Sequence, residues 1–203
     1  MSCGICTSLM LPHAIAYDHS LPHERWHDHY LIEMLEARAK WPLINLIEVA
    51  LRSRMSHQLE LRFGTDFFVR EPRQLMSGEI SRLRLAQVDS PVVDKFEVIR
   101  RLPMGFWLQL LSKKYESILW APALWHSFPA WEGRSRRSIH EETTAVWRLR
   151  NQIAHHEPTS HNKSLPKTSE LSRLLLELEP EFEPMVHALH PVESGHGQQA
   201  QAG

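Results

Sequence analysis

The apolar residues of this chain recur at a spacing of three and four residues, and alternation between apolar and polar residues is nearly absent. That spacing is typical of α-helices that bury one face. It is clearest in WPLINLIEVALRSRMSHQLELRFG, residues 41–64, where Pro42 suits a first helical turn and Gly64 suits the position just after the last one. We predict an all-α protein whose long central helix begins at Pro42. Its predicted core positions are Leu43, Ile44, Ile47, Ala50, Leu51 and Met55.

Further helices are predicted on both sides of the central one. Before it, residues 25–40 place Tyr30, Leu31, Met34 and Leu35 on one side. After it, a helix is predicted over about residues 78–88, with Asp89 or Ser90 placed to cap the next. Residues 139–156 form another helix, which Pro158 stops, and one or two helices close the domain. The aromatic-rich stretch between is predicted to be mostly core at Phe106, Trp107, Leu110, Leu111, Tyr115, Ile118, Leu119 and Trp120.

Length and composition restrict the classes of protein. A chain of 203 residues suits one domain, which we place at residues 24–190, with an irregular tail at 1–23 and a disordered tail at 191–203. No apolar stretch is long enough to span a membrane, and the first residues lack the basic region and cleavage site of a secretory signal. With only two cysteines, the expected location is the cytoplasm.

Metal and redox chemistry have weak support in the sequence. Cys3 and Cys6 form a C-x-x-C pair, but no second ligand pair accompanies it. His27 and His29 flank Asp28, and residues at alternating positions do not share a helix face. We therefore expect neither a metal nor a cofactor. A metal hydrolase is the least favoured functional hypothesis.

The helix predicted over residues 139–156 has two distinct sides. At 100° per residue, one narrow sector holds the core stripe. A second side lies about 80° to 180° away, and Arg150 lies on the border between the two. A tryptophan on the second side indicates that this side also meets another helix or another subunit. The core stripe is Ile139, Val146, Leu149 and Ile153, and the second side carries Trp147, Asn151, Ala154 and His155.

Arg150 and His155 are candidate residues for phosphodiester chemistry, and Asn151, four residues before His155, is its neighbour on the helix surface. An imidazole can move a proton near neutral pH, and a guanidinium can hold two phosphate oxygens, and both abilities suit phosphodiester chemistry. The structural alternative is that the arginine and histidine only stabilise the helix, because positive charge in the last turn interacts favourably with the negative end of the helix dipole.

Local charge supplies further candidates, because the net charge of −1 gives no overall attraction to polyanions. From Lys95 to Arg150, ten basic residues stand against five acidic ones. The segment GRSRR, residues 133–137, is either a solvated loop or a phosphate-facing surface. The candidate substrate-binding residues are Arg134, Arg136, Arg137, Arg148 and His156.

The segment LRNQIAHHEP, residues 149–158, resembles the signature of the abortive-infection branch of the HEPN superfamily, the Abi-like bacterial proteins of the AbiD and AbiF type. Two further segments resemble the same family in the same order, IEVALRSR at residues 47–54 and MGFWLQLLSKKYESILW at residues 104–120. The resemblance covers roughly residues 40–190.

This resemblance implies a HEPN-like helical bundle that forms a two-fold homodimer. It implies a metal-independent endoribonuclease of phage defence or of toxin type, in which Arg150, Asn151 and His155 form a composite site across the dimer. Its partners would be an RNA substrate and an inhibitory RNA or protein antitoxin. The alternative is a non-catalytic HEPN-type module that binds RNA or protein, in which the histidines serve only the fold.

Overall fold

The computed structural model describes residues 26–88, 94–131, 133–159 and 162–189, and all regular structure within these ranges is helical. The prediction of an all-α protein is confirmed for this part of the chain. The α-helices are α1 (Trp26–Phe63), α2 (Ser77–Gln87), α3 (Lys95–Arg101), α4 (Met104–Leu110), α5 (Arg136–Ala154), α6 (Thr168–Leu178) and α7 (Glu183–Leu189). Short helical turns between α4 and α5 cover Lys113–Tyr115, Glu116–Trp120, Leu124–Ser127 and Pro129–Trp131.

The long helix α1 begins earlier than the sequence pattern predicts. It runs unbroken for 38 residues with Pro42 in its interior, so the prediction of a separate helix that starts at Pro42 is wrong. Proline at this position removes one hydrogen bond, the one that the carbonyl of Arg38 would accept. The burial of Leu43 and Ile44 directly after it holds the backbone in helical form. Gly64 follows the last turn, as predicted, with a φ of 108° that favours glycine.

The core forms where α1 packs against α4, α5 and α6. The predicted core positions of α1 are all buried. Most of the predicted aromatic and aliphatic positions of residues 106–120 are buried as well, but Trp120 is half-buried and Ile118 is exposed. Residues 116–120 form a wide turn in which the Ala121 N–H donates to the Glu116 carbonyl at 2.9 Å. This wide turn breaks the 3.6-residue period on which the prediction for Ile118 depended.

The outer helices agree with the sequence pattern in their positions. α2 lies within one residue of its predicted range, and the two short helices α6 and α7 close the described chain. The cap of α3 is Asp94, whose side chain accepts from the Phe96 N–H at 3.1 Å. The predicted caps Asp89 and Ser90, and the predicted tails at residues 1–23 and 191–203, lie outside the described residues. None of the described helices combines the length and apolar character needed to cross a membrane.

Candidate functional site

The candidate residues lie at the C-terminal end of α5. Its core stripe is confirmed, because Ile139, Val146 and Leu149 are buried and Ile153 packs against the core. The second side of the helix meets another helix of the same chain at Trp147. A methyl group placed on Gly105 of α4 would lie 3.8 Å from the indole Nε1 of Trp147. The sequence left open whether this side meets another helix or another subunit. At Trp147 the structure shows another helix.

The way in which α5 ends gives its two histidines different roles. The helix stops at Ala154, and His155 is its C-terminal cap. The N–H of His156 donates to the Ile153 carbonyl at 3.1 Å, and the N–H of Glu157 donates to the Gln152 carbonyl at 2.8 Å. This pair of bonds is the Schellman arrangement, in which the residue after the cap is left-handed. His156 occupies that position with a φ of 57°, so the helix ends before Pro158 is reached.

Arg150 lies in the last full turn of α5 and contacts an aromatic ring. Its guanidinium carbon is 5.9 Å from the ring centroid of Trp41 in α1. Both side chains are half-buried. Within the described ranges, Arg150 takes part in no ion pair. The sequence did not reveal this contact, because it joins two helices whose packing no local pattern specifies.

Asn151 and His155 lie next to each other on the second side of α5. His155 is exposed, Asn151 is half-buried, and the His155 N–H donates to the Asn151 carbonyl at 2.9 Å. At 100° per residue, His155 leaves the helix about 140° away from Arg150. Within a single chain, the side chains of Arg150 and His155 therefore point in different directions, although the two residues lie within two turns of each other.

The other candidate arginines are not gathered at this end. Arg148 is exposed and lies about 160° around the helix from Arg150. The segment that holds Arg134, Arg136 and Arg137 lies at the opposite end of α5, roughly 27 Å away at 1.5 Å per residue. Its positive charge is balanced by acidic neighbours. The pairs are Arg134 with Glu142 and Glu177, Arg136 with Glu116, and Arg137 with Glu141.

A small cleft, which no pattern in the sequence predicted, lies beside the end of α5. It is formed where the first half of α1 faces the helix end and the loop that follows. Tyr30 and Met34, predicted to share one side of their segment, are both part of its wall. The buried Glu33 lies between them and binds the loop at Thr159. Further lining residues are Ile153 and His156.

Metal ligands are not clustered in the part of the chain that the structure describes. No three of its histidine, cysteine, aspartate and glutamate side chains stand together in a way that could hold a metal ion. Cys3 and Cys6 lie outside this part, as do the side chains of His27 and His29.

The described chain is therefore a helical protein whose candidate residues for phosphodiester chemistry lie on one helix end. No protein-family profile matches the chain, and no curated protein sequence or solved structure matches it.

Proposed function

We propose that this protein is a metal-independent endoribonuclease that acts in phage defence or as a toxin. Arg150, Asn151 and His155 form its site, and two copies of the chain complete it. The observation that carries the proposal is the state of Arg150. It is half-buried, contacts the Trp41 ring and has no acidic partner among the described residues, so its charge is available to an anion.

The reaction needs few groups. His155 takes the proton of a ribose 2′-hydroxyl, whose oxygen then attacks the adjacent phosphorus. Arg150 donates two N–H groups to the phosphate oxygens, which carry extra negative charge in the transition state. The bond between phosphorus and the 5′-oxygen breaks, and His155 gives the proton that it took to the leaving 5′-oxygen. The products are a 2′,3′-cyclic phosphate and a 5′-hydroxyl. Asn151 orients His155 or donates to a phosphate oxygen.

The divergence of Arg150 and His155 supports a site shared between two chains. Within one chain the two side chains leave α5 about 140° apart, so they do not converge on one phosphate group. A two-fold dimer that juxtaposes two α5 ends would place the arginine of one copy beside the histidine of the other. An RNA or protein antitoxin that holds the activity silent in the cell would cover the same surface.

Cleavage of a labelled RNA oligonucleotide in the presence of EDTA tests the proposal. We expect the full chain to cut it and to leave the matching DNA intact, because DNA has no 2′-hydroxyl. His155→Ala should abolish cleavage, while His57→Ala, at an exposed histidine of α1, should not alter it. Arg150→Lys should also fail, since an ammonium group cannot make the two-pronged contact. Absence of cleavage by the unaltered chain, or full cleavage by His155→Ala, would refute the proposal.

A mixing experiment tests the shared site separately. Arg150→Ala and His155→Ala chains, each inactive alone, should regain part of the activity when they are unfolded and refolded together. Each mixed dimer would then keep one intact pair. If the mixed dimers form but show no RNA cleavage, each site is contained in one chain.

A further inference from the structure

Trp41 and Arg150 form a contact that links α1 to the end of α5. The guanidinium carbon lies 5.9 Å from the centre of the indole ring, within the range of a cation–π interaction. Trp41 is the residue before Pro42, inside the unbroken helix α1. Both side chains retain partial exposure to solvent.

Arg150 differs from most arginines of the described chain in its partner. Most of them pair with a carboxylate, which balances their charge and occupies their N–H groups. An aromatic ring carries no net charge and interacts with the cation through its face. Arg150 therefore keeps its full positive charge and its N–H donors. The paired arginines are Arg52, Arg54, Arg70, Arg84, Arg100, Arg101, Arg134, Arg136, Arg137 and Arg173.

A second cation lies close to Trp41 on the same helix. Arg38 is three residues earlier, and residues three apart are neighbours on a helix surface. It is exposed, and in the ranges that the structure describes it has no ion-pair partner. By contrast, Lys40 of the same turn is paired with Glu36 at 3.0 Å. The surface around Trp41 thus carries two arginines whose charge is not balanced by an acidic neighbour.

We propose that Trp41 is a positioning residue for Arg150, and that the pair binds a backbone phosphate of single-stranded nucleic acid. The ring restricts the guanidinium before the ligand arrives, which lowers the entropy lost on binding. The inference rests on the proposed function only in its choice of RNA as the natural ligand.

A binding experiment with an uncleavable ligand tests this inference. The probe is a short, fluorescently labelled single-stranded DNA oligonucleotide, titrated at low salt with EDTA and followed by anisotropy. We expect Trp41→Leu to weaken binding about three- to ten-fold, which corresponds to a cation–π contact of intermediate strength. Trp41→Phe should retain more of the affinity, because it keeps an aromatic face.

A double-mutant cycle distinguishes positioning from a merely structural role. In an Arg150→Gln background, Trp41→Leu should cause no further loss, because Trp41 acts only through Arg150. Trp125→Leu, at a half-exposed tryptophan that stacks on His126, is the matched control and should bind as the unaltered chain does. Thermal melting of each variant shows that equally folded proteins are compared.

Three outcomes would overturn the inference: no binding by the unaltered chain, no effect of Trp41→Leu, or the same loss in both backgrounds. The result is separable from that for the proposed function. Coupled binding without RNA cleavage would refute the ribonuclease and retain the Trp41–Arg150 site. Cleavage with no Trp41 effect would retain the ribonuclease and refute this site.

Discussion

The carboxylate of Glu33 accepts two hydrogen bonds from Thr159, one from the backbone N–H at 2.8 Å and one from the hydroxyl at 3.0 Å. Both residues are buried. The contact joins the first half of α1 to the loop that follows α5. It therefore fixes the segment that begins with His155 and His156, and the placement of these histidines depends on a residue far away in the sequence.

Removing the hydroxyl of this contact should destabilise the fold. Thr159→Val leaves the Glu33 carboxylate buried with one hydrogen bond fewer, and we expect a loss of about 1–3 kcal/mol in the free energy of unfolding. Glu36→Gln, three residues later on α1, is the control, because Glu36 forms a partly exposed pair with Lys40 that contributes about 0–1 kcal/mol. Urea unfolding followed by circular dichroism measures both. Equal stability of Thr159→Val and the unaltered chain would contradict the structural role.

The left-handed backbone at His156 predicts an unusual ranking of substitutions. His156→Gly removes the strain of a side chain at a φ of 57°, and we expect it to preserve or raise the melting temperature. His156→Val should cost about 1–2 kcal/mol, because a β-branched residue is unsuited to this region. His155→Val, at a φ of −95° and exposed, is the matched control and should change stability by less than about 0.5 kcal/mol. If His156→Gly lowers stability, contacts of the imidazole outweigh the strain.

Arg54 and Glu179 form a two-pronged pair between α1 and the end of α6. The Nε and one terminal nitrogen of Arg54 donate to the two carboxylate oxygens at 3.1 and 3.0 Å. A double-mutant cycle with Arg54→Gln and Glu179→Gln should give a coupling of about 1 kcal/mol, because both groups are half-buried and the geometry is bidentate. The exposed pair of Arg84 and Glu71 should give less than half of that. Similar coupling energies for the two pairs would contradict the expectation that bidentate geometry and burial strengthen the Arg54–Glu179 pair.

The raised pKa of Tyr115 predicts how the stability of the fold changes in alkaline solution. Burial, together with the neighbouring Glu79 carboxylate, raises the pKa of Tyr115 to about 12. Its hydroxyl donates to Glu79 at 2.7 Å and accepts from the Met76 N–H at 2.9 Å. Because the folded pKa lies above the unfolded value of about 10, this contribution is complete below pH 10 and is lost as the pH rises toward 12.

Comparing the chain with Tyr115→Phe isolates that contribution, because the other alkaline titrations are shared by both proteins. The unaltered chain should lose on the order of 2 kcal/mol more than Tyr115→Phe between pH 10 and pH 12. Parallel stability curves for the two proteins would contradict the assignment. Glu79 is a poor choice for this test, because burial opposes its ionisation while hydrogen bonds from Tyr115 and Lys114 outweigh burial and keep its pKa low.

Local patterns predicted what depends on local geometry. The core stripe of α5 and the glycine after α1 follow from helical periodicity and from backbone sterics, which act over a few residues. Pro42 shows where local patterns fail. Proline is favoured at a helix start, yet the packing of Leu43 and Ile44 keeps the helix continuous through it. Tertiary burial overrides a local preference in this case.

The contacts that define the candidate site could not be predicted in the same way. The pairs Trp41–Arg150 and Glu33–Thr159 join α1 to the end of α5 and to the loop that follows it. Neither pair leaves a trace in the spacing of apolar residues, because such contacts depend on how helices cross. The sequence placed Arg150 on the border of the core stripe, and its half-buried state agrees with that position.

The unbroken helix α1 has a consequence for local motion. Its second half is anchored in the core, whereas its first half exposes Leu31, Ile32 and Leu35. Pro42 has no N–H, so one of the backbone hydrogen bonds that join the two halves is missing, and we expect the first half to fray without unfolding the second. Amide protons before Pro42 will then exchange with solvent sooner than those of residues 43–59. Because Trp41 and Glu33 both lie in that half, each fraying event would release the aromatic contact of Arg150 and the anchor of Thr159 together.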